Sequence, residues 1–272
     1  MNTKNLVTII TPVYNGSKYI DEMIESVLAQ DYPSIEHIII DDGSDDNRAT
    51  VNILKKYPSL NWWSRENIGQ YPTLNEGILK SKGDWILILS CDDKLHSPSA
   101  ISSLVKASEL EVNTTAIYGR TSLIDNESNP IPDKGRPDES MPLWINSYHL
   151  LIHHCSMIVS RKFILENNLF FDTTLKYTGD WDWILKIISV GKLRYIDSVI
   201  SNYRFHTEQT RQSVTIKKLK DEDWEVLKRH NASVVIHEII ILYYRLKKFI
   251  YIIRAEGVSE SMKALSLYIN KN

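Results

Sequence analysis

Ile35-Glu36-His37-Ile38-Ile39-Ile40-Asp41-Asp42-Gly43-Ser44-Asp45 is the stretch that decides the fold. Its centre, Ile38-Ile39-Ile40, is apolar without alternation, as a strand covered on both faces should be. The run then breaks into acids and a glycine, where the chain must turn and meet water. The same grammar recurs on either side. Upstream, Leu6–Thr11 is a β-type run followed by Tyr14-Asn15-Gly16-Ser17. Downstream, Trp85-Ile86-Leu87-Ile88-Leu89 ends at Ser90-Cys91-Asp92-Asp93. Helical patterns lie between them. One runs from a Ser17 cap to Gln30, with Ile20, Met23, Ile24, Val27 and Leu28 on one face. A second is capped by Asp45 or Asp46 and reaches Lys56. A short strand near Leu60–Ser64 precedes a third helix, Pro72 to Lys82.

Strands and helices alternating at this length make βαβ units with right-handed crossovers and a parallel sheet. Functional groups in such a sheet collect beyond the carboxyl ends of the strands. The clusters at Tyr14-Asn15, Asp41 to Asp45 and Asp92-Asp93 all fall there, so they are expected to converge on one edge. The later part is less regular. Ser97-Pro98 starts a helix to Glu109, and Gly179 to Val190 is a helix. Ala116–Arg120, Ser156–Ser160 and Val199–Phe205 read as strands, and Asp125 to Met141 as a loop or loose hairpin. From Ile216 the pattern is helical nearly to the end. The expected fold is α/β: a Rossmann-like α/β/α sandwich with a mostly parallel central sheet and a C-terminal helical extension.

The 272 residues are 43% hydrophobic and 24% charged, with a net charge of −2, which suits a globular chain and disfavours bulk nucleic-acid binding. Cys91 and Cys155 have no metal-site spacing and fit a reducing cytosol. Leu6–Val13 is too short for the apolar core of a signal peptide. Val234–Ile253 carries His237, Glu238, Arg245, Lys247 and Lys248, so it falls short of the roughly 18 uninterrupted apolar residues of a spanning helix.

Two adjacent carboxylates, Asp92 and Asp93, repel unless a cation or a proton intervenes. Mg²⁺ or Mn²⁺, sharing its shell with substrate phosphates, suits them; the plainer alternative is a helix cap beside a solvated charge. The Asp41 to Asp45 loop lacks the spacing and the closing Glu of a calcium loop, whereas an Asp beyond a strand end can accept a bond from a base or ribose. No GxGxxG and no P-loop is present, which disfavours a dehydrogenase or an ATPase. Diphosphate charge must then be met by metal and side chains.

Thr11-Pro12-Val13-Tyr14-Asn15, Asp41-Asp42-Gly43-Ser44, Glu66-Asn67-Ile68-Gly69, Asn75-Glu76-Gly77, Gly83-Asp84-Trp85 and Gly179-Asp180-Trp181-Asp182-Trp183 occur in an order that resembles glycosyltransferase family 2. The similarity spans roughly residues 5 to 213. It implies the GT-A fold, a divalent metal and inversion of the anomeric centre. Carried over, it implies that Pro12, Tyr14, Asp42, Asn67 and Asp92 contact the nucleotide, that Asp92 and Asp93 match the acidic metal and ribose motif with either as the direct metal ligand, that His206 ligates the metal or contacts phosphate, and that Asp180 is the catalytic base. The sequence departs from the family pattern twice. Ser90 stands at the first acid of the usual Asp-x-Asp, and Gly179 where a Glu often precedes the base.

A carboxylate at Asp180 suits the chemistry, because a sugar hydroxyl is a poor nucleophile until its proton is taken; helix capping is the alternative role for it. Tyr203-Arg204-Phe205-His206, with Gln209 and Ser213, resembles a family feature near the donor diphosphate. His154, Trp181 and Arg204 are expected on the acceptor or diphosphate side, although tryptophans more often pack in a core.

The domains implied are a catalytic unit of residues 1–213, with a nucleotide-binding half (1–95) and an acceptor-binding half (96–213), and a helical extension (214–272). The function implied is transfer of a hexose from a UDP-sugar or similar donor to a hydroxyl of a glycan or lipid-linked saccharide. A non-catalytic nucleotide- or glycan-binding domain, or a sugar nucleotidyltransferase, is the alternative. Ile239–Arg254, aromatic and cationic, is expected either to pack on the catalytic domain or a dimer partner, or to attach the protein to the inner face of a membrane from the cytoplasm.

Overall fold

Strand β1 (Val7–Val13) is buried along its whole length, and the sheet is assembled outward from it. It pairs in parallel with β2 (Ile35–Asp41) on one side and with β4 (Trp85–Ile88) on the other. β2 in turn pairs in parallel with β3 (Asn61–Ser64). Helices α1 (Ile20–Leu28), α2 (Ala49–Leu54) and α3 (Gln70–Lys80) make the crossovers. This computed structural model describes residues 5–111, 113–132, 139–206 and 214–256. Gln209, Ser213 and the last part of the extension (257–272) lie outside the described residues.

Beyond β4 the sheet is mixed. β8 (Met157–Ser160) lies antiparallel between β4 and β6 (Ala116–Ile124), and β9 (Leu193–Arg204) runs parallel to β6. The short β5 (Lys94–Leu95) and β7 (Pro130–Ile131) add antiparallel pairs to β9 and β6. The strand order is β3-β2-β1-β4-β8-β6-β9-β5. The three-layer α/β architecture matches the expectation, but the parallel character is concentrated in the first four strands. The reason is connectivity: a parallel neighbour needs a long crossover, usually an α-helix. Between β7 and β8 the described residues offer only two short 3₁₀ turns, Leu143–Ser147 and His154–Ser156.

Both faces of the sheet are covered, so successive β1 residues serve different cores. Ile10 packs with Tyr71, Leu74 and Ile78 of α3 and with Trp181, Trp183 and Ile184 of α6 (Gly179–Val190). Ile9 packs with Ile20, Met23 and Ile24 of α1 and with Ile101, Leu104 and Val105 of α4 (Ala100–Ser108). The first helix begins three residues after the expected Ser17 cap, with Tyr19 at its N-cap. At α2 the N-cap is Arg48 rather than Asp45 or Asp46, and Asp46, two residues earlier, accepts the Thr50 N–H at 3.1 Å and its hydroxyl at 2.6 Å.

The extension consists of α7 (Ile216–Arg229) and α8 (Val234–Glu256), joined to the body by a few buried contacts. Val226 and Leu227 enter the core beside α6, and His237 of α8 meets the Tyr148 carbonyl oxygen at 2.6 Å. Val235, Ile239, Leu242 and Leu246 of α8 are exposed. No helix of the described residues is long and apolar enough to cross a membrane.

Helix α3 approaches β1 at Gly77, where a Cβ would lie 2.4 Å from Ile10 Cγ2. Gly77→Ala gains about 1 kcal/mol of helix propensity but must displace a fully buried isoleucine in a close-packed core, at about 1–3 kcal/mol. The steric effect wins, so chemical denaturation is expected to show a net loss of stability.

Candidate active site

The carboxyl ends of β1, β2 and β4 open into a cleft of about 610 Å³, within the size range of small-molecule sites. Pro12, Tyr14, Asp42, Asn67, Asp92, His154, Asp180 and His206 all line it. Residues as far apart in sequence as Pro12 and His206 therefore meet at the edge where the sheet topology delivers its strand ends.

The loops after β1, β2 and β3 are cross-braced. Asn15, in the left-handed region at φ 53, donates its N–H to Ser44 Oγ (2.8 Å) and its side-chain amide to Asp45 (2.7 Å). Asp45 N–H returns a bond to Asn15 Oδ1 at 2.9 Å. Gly43, at φ 73, has no room for a side chain: a Cβ would lie 2.7 Å from Asn67 N. Asp41 is buried and accepts from Ser44 and Ser64 hydroxyls, both at 2.5 Å. Asp42 accepts the Ile68 and Gly69 N–H groups, each at 2.9 Å, and the Arg65 guanidinium. Most of its acceptor capacity thus holds the 67–69 loop in place at the cleft wall.

Arg65 was not singled out by the sequence reading. It also donates to Glu76 at 2.9 Å and to the Thr73 hydroxyl at 2.7 Å, tying the β2 acids to α3. A lone arginine directly after a strand and beside Glu66-Asn67 was the available signal.

At the end of β4 the two acids part. The Asp92 side chain, 24% exposed, faces the cleft and lies 3.0 Å from His206 Nε2. Asp93 borders the cleft but is 1% exposed and accepts the Arg204 N–H at 2.9 Å. Burial, reinforced by the neighbouring Asp92 charge, pushes its pKa well above the usual carboxylate range, against the opposing pull of Arg204 and the Cys155 thiol. Of the three expected metal ligands, Asp92 and His206 face each other and Asp93 turns inward.

Arg204 does not reach the cleft, contrary to the expectation for it. It is 1% exposed and donates to the Asp92 carbonyl (2.8 Å), the Asp125 carbonyl (3.0 Å), Ser128 Oγ (2.9 Å) and the Glu22 carboxylate (2.5 Å). Burial alone would raise the Glu22 pKa. Hydrogen bonds from Lys94 and Ser128 and the Arg204 charge outweigh it and hold the carboxyl below its ordinary range. A long cation with strand alternation on its side was drawn into the core because unpaired acids were there to meet it.

Trp181 also departs from expectation. It is 3% exposed, and its indole N–H donates to the Asn146 carbonyl at 2.6 Å. Trp183 stacks on Phe171 at 4.6 Å and donates to the Leu169 carbonyl. Both belong to the core; the aromatic rings at the cleft are Tyr14, Tyr19, Tyr71, Tyr177 and Tyr203.

Asp180 occupies the first turn of α6, while Thr178 is the N-cap. Its side chain is 25% exposed; Oδ1 accepts the Trp181 N–H at 2.9 Å, and Oδ2 lies 3.9 Å from His154 Nδ1. His154 Nε2 lies 3.4 Å from Ser90 Oγ. Burial lowers the His154 pKa against the raising charges of Asp180 and Asp92, so the ring is held toward its neutral form. Of the His153-His154 pair, His154 lines the cleft and His153 packs against Tyr203 at 5.2 Å.

Both departures from the family pattern have a local partner. Ser90 faces His154. At Gly179 a Cβ would lie 2.6 Å from the Tyr71 ring, whose hydroxyl accepts the Gly179 N–H at 2.9 Å. A glutamate side chain there would occupy the space of the tyrosine.

The comparisons with known proteins agree with this geometry. The family described as Glycosyl transferase family 2 matches residues 8–168. An uncharacterized glycosyltransferase of Rickettsia felis is 35% identical over 220 residues, covering 77% of this chain and 36% of that protein. Chondroitin synthase of Escherichia coli is 29% identical over 237 residues, covering 85% of this chain and 32% of the synthase. The chain spans about a third of the length of the first curated relatives it matches. Among solved structures, S. aureus TarS 1–349 with UDP-GlcNAc superposes with a TM-score of 0.65 at 17% identity, covering 98% of this chain and 72% of that one. Mannosyltransferase PcManGT of Pyrobaculum calidifontis, solved with GDP-Man and Mn²⁺, gives 0.59 at 15% identity, covering 99% and 81%. These likenesses establish the GT-A fold.

The Gly179–Tyr71 contact has a measurable consequence. Gly179→Ala is expected to lose about 1–3 kcal/mol of stability through overpacking. In a Tyr71→Ala background the same change is expected to cost little, and chemical denaturation of the four proteins of this double-mutant cycle measures the coupling. Additive losses would mean that the two positions are independent.

Proposed function

Because the chain belongs to glycosyltransferase family 2, we propose that it moves a hexose from a nucleotide-diphosphate sugar to a hydroxyl of a glycan or lipid-linked saccharide, inverting the anomeric centre. The observation that carries the reading is the meeting of Asp92 with His206 and of Asp180 with His154 in one cleft. One pair suits the departing diphosphate, and the other suits an attacking hydroxyl. A UDP-sugar is the proposed donor, by likeness to TarS with its bound UDP-GlcNAc. Polysaccharide-type chemistry is supported by the likeness to the chondroitin synthase.

In this mechanism Pro12, Tyr14 and Asn67 border the base and ribose, and Asp42 shapes the loop that closes on them. Asp180 accepts the proton of the acceptor hydroxyl as the glycosidic bond forms. His154 borders that carboxylate, with Nδ1 3.9 Å from Asp180 Oδ2 and Nε2 3.4 Å from Ser90 Oγ. Asp92 and His206 would hold Mn²⁺ or Mg²⁺. Such an ion usually takes one or two protein ligands and fills its shell with substrate phosphates and water. The donor set fits that mode, with one partly exposed carboxylate facing one imidazole at 3.0 Å on the cleft. When bound, the ion supplies Lewis-acid stabilisation of charge on the leaving diphosphate. Asp93 and Arg204 serve the site indirectly, by fixing the backbone that presents Asp92.

The proposal includes a nucleotide-binding half (1–95), an acceptor half (96–213) and a helical extension (214–272). It also places the enzyme in the cytoplasm, with peripheral contact to a membrane or a second copy through α8. The exposed Val235, Ile239, Leu242 and Leu246 support that contact.

The test is nucleotide release from UDP-, GDP- and dTDP-sugars with Mn²⁺, beside an EDTA control. One donor is expected to be turned over, the reaction to stop with EDTA, and Asp180→Asn to slow it by about 10²–10⁴-fold. UDP binding by calorimetry without turnover of any donor, in the presence of an acceptor panel, would favour a binding-only domain. No metal-dependent nucleotide binding at all would refute the reading.

A further inference from the structure

Helix α7 sends three polar bridges to one segment of the cleft wall. The Glu222 carboxylate accepts the N–H groups of Lys176 (2.8 Å), Tyr177 (2.7 Å) and Thr178 (2.9 Å), and the Thr178 hydroxyl at 3.0 Å. Arg229 pairs with Asp172 at 2.5 Å, and Asp172 in turn accepts the Thr174 N–H at 2.8 Å. His230 Nε2 lies 2.9 Å from Asp182, a carboxylate that is 1% exposed. All three bridges end between residues 172 and 182. Within that span Thr173, Leu175, Lys176 and Tyr177 line the cleft, and Asp180 follows on the first turn of α6.

Glu222 makes the most hydrogen bonds of the three. Successive backbone N–H groups converging on a carboxylate form an anion nest, and such charge-assisted bonds are about twice as strong as neutral ones. The nest sits at the N-terminus of α6, where the helix dipole favours negative charge. Thr178, the N-cap residue, makes no side-chain cap of its own. Glu222 therefore holds, from a different helix, the three residues that lead into α6. Simple docking of α7 needs only its buried Val226 and Leu227; it does not require a carboxylate aimed at the turn before Asp180.

We propose that Glu222 is a positioning residue that fixes the 176–178 backbone, and with it the acceptor wall and the direction of Asp180. Helix α7 then belongs to the active site, although it lies past residue 168, where the family match ends. This inference rests on the reading of Asp180 as the base.

The experiment uses the full chain and Glu222→Gln, which keeps the shape and removes the charge. Amide hydrogen exchange is expected to quicken at least tenfold at 176–178 and to stay unchanged in β1 and β2. Transfer kcat is expected to fall about ten- to a hundredfold, as misplacement of reacting groups does, with donor KM and UDP affinity unchanged. Glu222→Asp, which restores the charge on a shorter arm, is expected to recover part of the loss. Faster exchange with an unchanged kcat would overturn the positioning role. So would exchange that quickens throughout the chain together with lost UDP affinity, which marks a general folding defect. Should the wild type turn over no donor, the glycosyl-transfer reading fails on its own. The exchange arm still decides the clamp, and unchanged exchange at 176–178 overturns it.

Discussion

Negative charge gathered at one edge of the sheet is the constraint around which this molecule is organised. Parallel strands deliver their carboxyl ends to the same side, and here those ends carry Asp41, Asp42, Asp92 and Asp93. A buried carboxylate without a partner is costly by several kcal/mol, so each must find donors. Asp41 takes two serine hydroxyls, Asp42 takes Arg65 and two loop N–H groups, and Asp93 takes the Arg204 N–H. These buried acids become scaffold, Asp93 with its carboxyl held toward the neutral form by burial. Those left facing the cleft with side chains about a quarter exposed, Asp92 and Asp180, are the ones available for chemistry.

The same logic explains where two cations sit, Arg204 in the interior and Arg65 half-buried. Arg65 joins β2, β3 and α3 by bonding Asp42, Glu76 and Thr73 together. Arg204 joins the end of β4 to α1 and to the loop after β6 through Asp92, Glu22 and Asp125. Each guanidinium offers five donors in a rigid fork, which lets one side chain close several gaps at once. A lysine at either position would leave acceptors unpaired. The cleft wall formed by the loops after β2 and β3 is therefore cross-braced.

On the opposite wall rigidity comes from sequence-distant helices. Gly179 admits the Tyr71 ring, so α3 and α6 touch beside the cleft. Ser90 faces His154, which in turn faces Asp180, so the two walls communicate through one imidazole. The two positions that depart from the family pattern are thus built into the packing, each with a partner shaped to it.

Much of this was legible in the chain itself. The unbroken Ile38-Ile39-Ile40 core, the acids that follow it and the matching grammar around β1 and β4 determine buried parallel strands and the edge on which a site must form, because strand period and turn chemistry are local properties. Asp180, Asp92, His154 and His206 were identifiable by type and order, and the cleft does bring them together. What the tertiary structure alone decided is the direction of each side chain. Asp93 accepts from Arg204 across 111 positions of sequence, Trp181 bonds to Asn146 across 35, and β8 returns antiparallel where, among the described residues, no α-helix carries it across. Periodicity determines that neighbours alternate between faces. Which of them turns inward depends on the partner waiting there, and that partner comes from a distant part of the chain.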